Sequence, residues 1–211
     1  MFFIQIFLIV GFALAALRLG QAALITWVTV QALIANLFVL KQITLFGFHV
    51  TASDAFAIGS LLGLNLLQEY FQPADVRKAT WVCFFFMLFF TVVSQLHLLY
   101  QPSIHDSSQN AFMTLLAPAP RLLIASISVF LFVQQFDIRF FALLKRIFPH
   151  VNFALRVALS LAVSQLLDTI LFSFLGLYGL VASVFDIIVV SFAIKLIVIS
   201  CFTPIVKLAK T

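Results

Sequence analysis

Long apolar runs alternate with short polar breaks along almost the whole chain. A helix needs about 20 apolar residues, at ~1.5 Å of rise each, to cross ~30 Å of hydrocarbon. The polar breaks divide the chain into segments of about that length, at residues 2–17, 21–40, 51–70, 79–100, 121–144, 153–175 and 178–202. We therefore predict an all-α fold, a polytopic transmembrane bundle of six core helices with an extra N-terminal span.

The connections between these segments are too short to hold a soluble domain. The longest, residues 101–120, reads as an irregular loop with an interfacial turn near residues 111–116. The first apolar run lacks the basic start of a signal peptide and leads at once into the next apolar stretch. We expect residues 1–211 to form a single integral membrane domain, with residues 1–18 as the extra span and residues 19–211 as the six-helix core.

Composition excludes a soluble fold of this size. Hydrophobic residues make up 64% of the chain, charged residues only 9%, and the mean hydropathy is +1.20. Soluble domains carry about 25% charged residues, and a small domain leaves much of its surface in water. The net charge of +5 comes from basic residues that are too few and too scattered to bind nucleic acid. The lipid bilayer is the expected surrounding of the chain.

The distribution of basic residues between alternate loops predicts an orientation. Cytoplasmic loops of membrane proteins carry an excess of lysine and arginine. One side of the predicted bundle collects eight basic residues, Arg18, Arg77, Lys78, Arg139, Lys145, Arg146, Lys207 and Lys210, whereas the other collects Lys41 and Arg121. We therefore place the 77–78 loop, the 145–146 loop and the C-terminus in the cytoplasm.

Polar residues within the apolar segments are candidates for function, because ionisable groups are costly inside a membrane. Asn65 and Glu69 are four residues apart and share one helical face. The alternative for Glu69 is an interfacial carboxylate that reaches the headgroups. Asn36, in the middle of its segment, bonds a neighbouring helix or contacts a ligand. Arg121 follows two prolines and is placed to anchor the start of a helix.

The last two segments carry a second polar group. Gln165, Asp168 and Thr169 share one face of their helix by the same spacing rule. Asp168 and Lys195 lie at nearly the same depth in adjacent antiparallel helices, so that an ion pair between them is geometrically allowed. Such a pair either serves transport or locks two helices together. Asp186 lies near the outer end of the last segment. It is either a functional residue or a carboxylate that extends to the membrane surface.

Signatures of enzymes and of metal sites are missing from the sequence. Residues 59–63, Gly-Ser-Leu-Leu-Gly, do not have the spacing of a nucleophile elbow, and no His-Glu-x-x-His motif or phosphate-binding glycine loop occurs. Cys83 and Cys201 lack metal-ligand spacing. We expect no enzymatic activity, no metal and no cofactor. Energy for any transport would come from a gradient, a partner or trapping of the substrate.

Four polar islands occur in the order found in a known family. They are Asn65-Leu-Leu-Gln-Glu-Tyr-Phe71 followed by Arg77-Lys78, then Pro120-Arg121 with Ser126 and Gln134-Gln-Phe-Asp137, then Ser164-Gln-Leu-Leu-Asp-Thr-Ile-Leu-Phe172, and finally Lys195 followed by Thr203-Pro204. Over residues 30–208 the chain resembles the queuosine precursor transporters, which are membrane proteins of the vitamin-uptake type. It departs from them at Asn65, where many members have Asp, and at Gln72-Pro73, which replaces a glycine turn.

The resemblance implies import of a deazaguanine base, which is queuine or its cyano or aminomethyl precursor, through a bacterial inner membrane for tRNA modification. It implies that Glu69 and Asp168 bind the substrate, with Asn36, Asn65, Gln165 and Arg121 as secondary contacts. Lys195 would keep Asp168 ionised in the empty state, and Asp186 is assigned with Lys195 to coupling or to a structural ion pair.

Other classes of function stay open at this point. A substrate-capture subunit of an energy-coupling-factor transporter would need a docking surface of small residues, for which Ala13, Ala15 and Ala16 are candidates. A membrane assembly protein would use the buried charges only for stability, and a membrane enzyme would need a nucleophile and a base in one plane. A homo-oligomer or an energising partner is compatible with the transporter interpretation.

Overall fold

The computed structural model describes residues 2–148 and 153–208 of the chain. Its helices are α1 (Phe2–Leu19), α2 (Gln21–Phe38), α3 (Asp54–Tyr70), α4 (Pro73–Leu98), α5 (Gln109–Leu116), α6 (Ala119–Ile147), α7 (Phe153–Phe172) and α8 (Val184–Leu208). This arrangement confirms the predicted all-α membrane bundle. The interfacial turn expected near residues 111–116 is the short helix α5. The extra N-terminal segment forms α1, which packs against α2 and α3.

Several helices have the length and hydropathy of membrane spans. Within the described residues, four stretches qualify, namely Gln21–Phe38, Ala74–Leu98, Gln109–Ile147 and Leu159–Leu177, and Ile4–Leu19 is a shorter apolar helix. With 17 residues, α3 is about 26 Å long at ~1.5 Å per residue. The 25 residues of α8 exceed the length that a span needs.

A two-stranded hairpin between α2 and α3 was not predicted. Strands β1 (Gln42–Leu45) and β2 (Phe48–Thr51) pair antiparallel. The turn between them places Phe46 at φ 52° and Gly47 at φ 87°, as a tight hairpin turn requires. Ile43, Thr44, Val50 and Thr51 supply the β-branched side chains that favour strands. The third segment therefore becomes helical at Asp54 rather than at residue 51, and β2 packs against α8.

Two glycines bring α3 into close contact with its neighbours. A Cβ atom on Gly63 would lie 2.7 Å from Val28 Cγ2 on α2, and one on Gly59 would lie 2.7 Å from Ile9 Cγ2 on α1. Small residues four apart allow helices to approach closely in membranes. The indole Nε1 of Trp27 uses this proximity to donate a hydrogen bond to the Gly59 carbonyl oxygen at 3.2 Å. The Gly-x-x-x-Gly sequence at 59–63 is thus a helix-packing motif.

The phenylalanine-rich stretch of α4 divides between the outside and the inside of the bundle. Phe85 and Phe89 are exposed on the protein surface, as is Trp81, which suits contact with lipid tails. Phe84 instead faces inward, where its ring meets that of Phe130 on α6 at a centroid distance of 5.2 Å. One face of α4 therefore contacts lipid and the other contributes to the interior of the protein.

Candidate functional site

A cavity of about 340 Å³ lies between α2, α3, α4, α6, α7 and α8. This volume falls within the ~300–1,000 Å³ that is usual for small-molecule sites. Its wall is mostly apolar, and a few polar side chains from distant parts of the sequence converge on it. Four of the residues singled out from the sequence belong to this wall, namely Asn36, Gln165, Asp168 and Lys195.

An ion pair links α7 to α8 in the wall of the cavity. Lys195 Nζ lies 2.8 Å from Asp168 Oδ2 and 3.0 Å from Thr169 Oγ1. The side chain of Lys195 is 16% exposed and that of Asp168 is 33% exposed, so that the carboxylate remains accessible from the cavity. The ammonium group neutralises the carboxylate within the membrane, where an unpaired charge is expensive. The pairing that the matching depths allowed is therefore present.

Asp54 is a second carboxylate in the cavity, and sequence reasoning missed it. It is the first residue of α3 and accepts a hydrogen bond from Ser191 Oγ on α8 at 2.7 Å. Ser191 lies one helical turn before Lys195. Acidic residues are common in the first turn of a helix, where they interact favourably with the helix dipole. From the sequence alone, Asp54 could not be distinguished from a common helix-start carboxylate. No local signal linked it to Ser191, which is 137 residues away.

Asn36, in the wall of the cavity, has a side-chain acceptor that no group of the described residues uses. Its Nδ2 atom donates to the Ala32 carbonyl oxygen at 2.9 Å, within α2. Its Oδ1 atom is buried and has no hydrogen-bond partner. A buried acceptor without a partner costs free energy, which a ligand N–H group would recover. Gln165 on α7 also lines the cavity, about one helical turn from Asp168.

Aromatic rings form the apolar part of the wall. Phe84, Phe130 and Phe172 all line the cavity, and the first two meet edge to face with an interplanar angle of 81°. Flat aromatic ligands stack well on such rings. Immediately after Phe172 the chain forms a π-helical turn, Ser173–Leu177, of which Ser173 and Leu177 also contact the cavity. Turns of this type occur frequently at functional sites.

Comparison with known proteins agrees with this arrangement. Residues 51–209 match the family described as "Putative vitamin uptake transporter". The chain belongs to this family. It is also 36% identical over 163 residues, which are 75% of this chain and 71% of the relative, to a Bacillus subtilis (strain 168) protein named "Probable queuosine precursor transporter". The family expected from the four polar islands is confirmed. No solved structure matches the chain.

Most of the polar cavity residues lie within the region that matches the family. The matched region contains Asp54, Gln165, Asp168 and Lys195, whereas Asn36 on α2 precedes it. Family membership indicates a multi-pass membrane protein that takes a small molecule as substrate. In transporters generally, substrate sites lie near the middle of the membrane, among helices with buried polar groups.

Two predicted contacts on α3 lie away from this transporter's cavity. Asn65 and Glu69 are both exposed, and neither belongs to the cavity wall. They lie in the last two turns of α3, at the end opposite Asp54. The structure therefore does not bring Glu69 together with Asp168. Their role in substrate binding stays a prediction.

Arg121 has a structural position at the start of α6. Its Nε atom donates to the Leu175 carbonyl oxygen at 2.9 Å, and its Nη2 atom donates to the Tyr178 carbonyl oxygen at 2.8 Å. These two carbonyls lie at the end of the helical segment that α7 and the π turn form. Carbonyl oxygens at a helix end lack partners within the helix. Arg121 thereby joins the start of α6 to the turn that precedes α8, outside the cavity wall.

Asp186 holds the hairpin to the first turns of α8. Its Oδ2 atom accepts a hydrogen bond from the backbone N–H of His49 at 3.1 Å. Nearby, the Ala182 N–H donates to Gln42 Oε1 at 2.9 Å. Asp186 is thus separated from the Lys195 ion pair, and it fixes the hairpin beside the end of the cavity that Thr51 and Ser53 line.

Asp137 marks a second polar cluster between α6 and α7. Its Oδ1 atom accepts hydrogen bonds from Ser160 Oγ at 2.7 Å and from Ser164 Oγ at 2.6 Å. Ser160, Ser164 and Asp168 follow each other at intervals of four residues and share one face of α7. A row of polar side chains on α7 therefore extends from the contact with Asp137 on α6 to the cavity. The resemblance had included Asp137 in a motif without giving it a role.

Proposed function

We propose that this protein imports a deazaguanine precursor of queuosine through the cavity that contains Asp168. The observation that carries the proposal is an accessible carboxylate, one third exposed, in a small aromatic cavity between helices of membrane length. The name of the Bacillus subtilis relative supports this class of substrate. The imported base would serve the modification of tRNA.

The chemistry of the base suits the wall. The guanine-like edge carries two adjacent N–H donors, which a carboxylate accepts together in a strong, charge-assisted arrangement. Asp168 would supply this carboxylate, and Lys195 would hold its charge in the empty state. The free Oδ1 atom of Asn36 would accept a further N–H group, and Gln165 would bond the polar edge. The rings of Phe84, Phe130 and Phe172 would contact the faces of the base.

The direction of transport rests on the orientation inferred from basic residues. The basic residues Arg77, Lys78, Lys145 and Arg146 support an orientation in which the start of α4 and the end of α6 would lie in the cytoplasm of a bacterium, with the chain in its inner membrane. In this orientation the C-terminus is cytoplasmic, although residues 209–211 lie outside the described residues. Asp54 and Asp168 then belong to the outer halves of α3 and α7, where an external substrate arrives.

The remaining predicted contacts fit later or indirect roles in the same process. Glu69 and Asn65, at the inner end of α3, would contact the base on its way to the cytoplasm. Arg121 would act on the substrate through the turn that it fixes beside the cavity, and Asp186 through the hairpin. These roles are distinct from direct binding in the cavity.

The capture-subunit alternative loses one of its supports in the structure. Ala13 and Ala16 are buried in the core that α1 forms with α2 and α3. They are therefore unavailable as a docking surface for an energising module, although Ala15 is exposed. Import without such a module is the simpler proposal. Co-purification with an ATPase pair would restore the alternative.

The experiment that tests the function uses a bacterium that neither makes nor imports queuosine precursors. The protein is expressed there, and queuine, the aminomethyl base or the cyano base is supplied separately, with the enzyme suited to each base. Queuosine in tRNA is measured by its mobility shift on a boronate gel. We expect restored modification with the wild-type protein, loss with Asp168→Asn, and full activity with Asp106→Asn, which alters an exposed loop carboxylate.

The same experiment separates transport from the other functions. No restoration with any base, from a protein shown to be folded in the membrane, would contradict import by this chain alone. An assembly protein would instead show reduced stability in Asp168→Asn without a specific solute flux. Restoration that is unchanged in Asp168→Asn at equal expression would show that the base does not use this cavity.

A further inference from the structure

The charged groups of the cavity do not balance. Two carboxylates, Asp54 and Asp168, face one ammonium group, Lys195, which leaves one negative charge. Cys83 also lines the cavity, but its thiol donates to Met87 Sδ at 3.7 Å and is therefore neutral. A net charge inside a membrane protein is expensive unless a counter-charge accompanies it. The cavity is thus built to hold one additional positive charge.

The contacts of the two carboxylates show where the additional charge belongs. Lys195 Nζ is bonded to Asp168 at 2.8 Å and to Thr169 at 3.0 Å. The partner of the Asp54 carboxylate is the neutral hydroxyl of Ser191 at 2.7 Å. Asp168 therefore has a directly bonded counter-charge, whereas Asp54 has a hydrogen bond, the weak field of its own helix N-terminus and the more distant charge of Lys195. Asp54 is the carboxylate that needs a cation.

Among the described residues, the elements packed around Asp54 bring no cation close to it other than Lys195, which is already bonded to Asp168. In α1 the charged residue is Arg18, at the opposite end of the helix, and α2 has no charged residue. From α7 and α8 the facing groups are Asp168 and Lys195, and α4 contributes the Cys83 thiol. On the hairpin side Lys41 and His49 are exposed, and the backbone of His49 is bonded to Asp186.

We propose that Asp54 binds one positive charge that crosses the membrane with each substrate molecule. This inference rests on the proposed function. With the aminomethyl base the charge is the protonated amine of the substrate, which Asp54 binds while the guanine-like edge occupies Asp168. With the neutral cyano base the charge is a proton, which Asp54 takes from the external water and releases to the cytoplasm. Transport of either base then moves one positive charge inward.

The experiment uses the purified protein in liposomes, with the membrane potential and the pH gradient imposed independently. Labelled cyano base and labelled aminomethyl base are compared. We expect an inside-negative potential to drive accumulation of both bases. An inside-alkaline pH gradient at zero potential should drive accumulation of the cyano base and leave that of the aminomethyl base nearly unchanged. The proposal would be overturned if neither the membrane potential nor the pH gradient changed the accumulation of either base.

Substitution of Asp54 locates the charge. In Asp54→Asn the cyano base should equilibrate without accumulation, and the aminomethyl base should bind at least tenfold more weakly. Asp106→Asn is the matched control, because it removes a carboxylate from an exposed loop, and it should behave as wild type. Accumulation of both bases by folded Asp54→Asn, driven as in the wild type, would show that another group carries the charge.

A second variant keeps the test decisive if Asp54→Asn does not fold. Ser191→Ala leaves the carboxylate and removes its hydroxyl partner. It should shift the external pH of half-maximal cyano-base uptake, and it should also shift the external pH at which proton binding to Asp54 competes with the amine of the aminomethyl base. An unshifted pH profile would overturn the role of Asp54. Failure of the wild-type protein to take up any base is a different outcome, because it contradicts the proposed function itself.

Discussion

Lys195 and Asp168 form a 2.8 Å ion pair that joins α8 to α7 in the wall of the cavity. The pair satisfies two requirements together. It neutralises a carboxylate at membrane depth, and it leaves that carboxylate accessible, since the Asp168 side chain is 33% exposed. A purely structural pair and a substrate site predict different behaviour when both partners are replaced.

Replacement of one partner should destabilise the protein, and replacement of both should restore stability without function. Lys195→Met leaves Asp168 without its counter-charge, which we expect to cost about 2 kcal/mol, less than the ~3–5 kcal/mol of a fully buried pair because Asp168 is partly exposed. The double variant Asp168→Asn/Lys195→Met should recover most of the thermal stability in detergent. Base uptake should stay absent in the double variant. Recovered uptake in the double variant would show that the pair has only a structural role.

Glu69→Gln and Asp168→Asn should differ in their effect on substrate affinity. Asp168 lines the cavity, whereas Glu69 is exposed at the other end of α3. We expect Asp168→Asn to abolish saturable uptake, and Glu69→Gln to lower the maximal rate with little change in the apparent affinity for external base. A rise of tenfold or more in the half-saturating concentration for Glu69→Gln would place Glu69 in the outward-facing binding site.

Arg121→Lys should reduce stability more than it reduces substrate affinity. The guanidinium group donates through two nitrogen atoms to two carbonyl oxygens, of Leu175 and Tyr178, and the single nitrogen of lysine does not reproduce this geometry. We expect a loss of about 1 kcal/mol, from one hydrogen bond partly compensated by water. Thermal unfolding of the purified variant measures it. Unchanged stability with strongly weakened base binding would favour direct contact with the substrate.

Gly63→Ala should destabilise the packing of α3 on α2. The added Cβ would lie 2.7 Å from Val28 Cγ2, which is too close for an undisturbed contact. Overpacking of this kind costs about 1–3 kcal/mol. The double variant Gly63→Ala/Val28→Ala removes the opposing methyl groups and should recover part of the loss. Additive losses in the two single variants would show that the two positions do not meet.

The sequence predicted the helices because a membrane leaves few alternatives. Spanning segments must satisfy their own backbone, so that apolar length alone indicated a helix in each predicted segment. The hairpin at residues 42–51 gave no such signal, because its strands are four residues each and lie between two spans. Nearly all of its residues lie in the break between the predicted segments 21–40 and 51–70, which reads as a connection.

The candidate site could be predicted only in part, for a similar physical reason. Asp168 and Lys195 stood out because charges are rare within apolar segments. Asp54 stands at a helix start, where carboxylates are ordinary, and only the folded chain brings it to Ser191 on α8. Glu69 stood out for the same reason as Asp168, but periodicity along one helix does not reveal which face meets the interior. The long-range contacts decide which polar groups share the cavity.

The most direct measurement is equilibrium binding of the aminomethyl base to the purified protein in detergent, because binding needs neither an energy source nor a downstream enzyme. We predict saturable binding by the wild-type protein, competition by the cyano base, and affinity at least about 30-fold lower in Asp168→Asn, from the loss of about 2 kcal/mol of charge-assisted hydrogen bonding. Equal affinity of the wild-type protein and folded Asp168→Asn, or no binding of any deazaguanine base, would contradict the account.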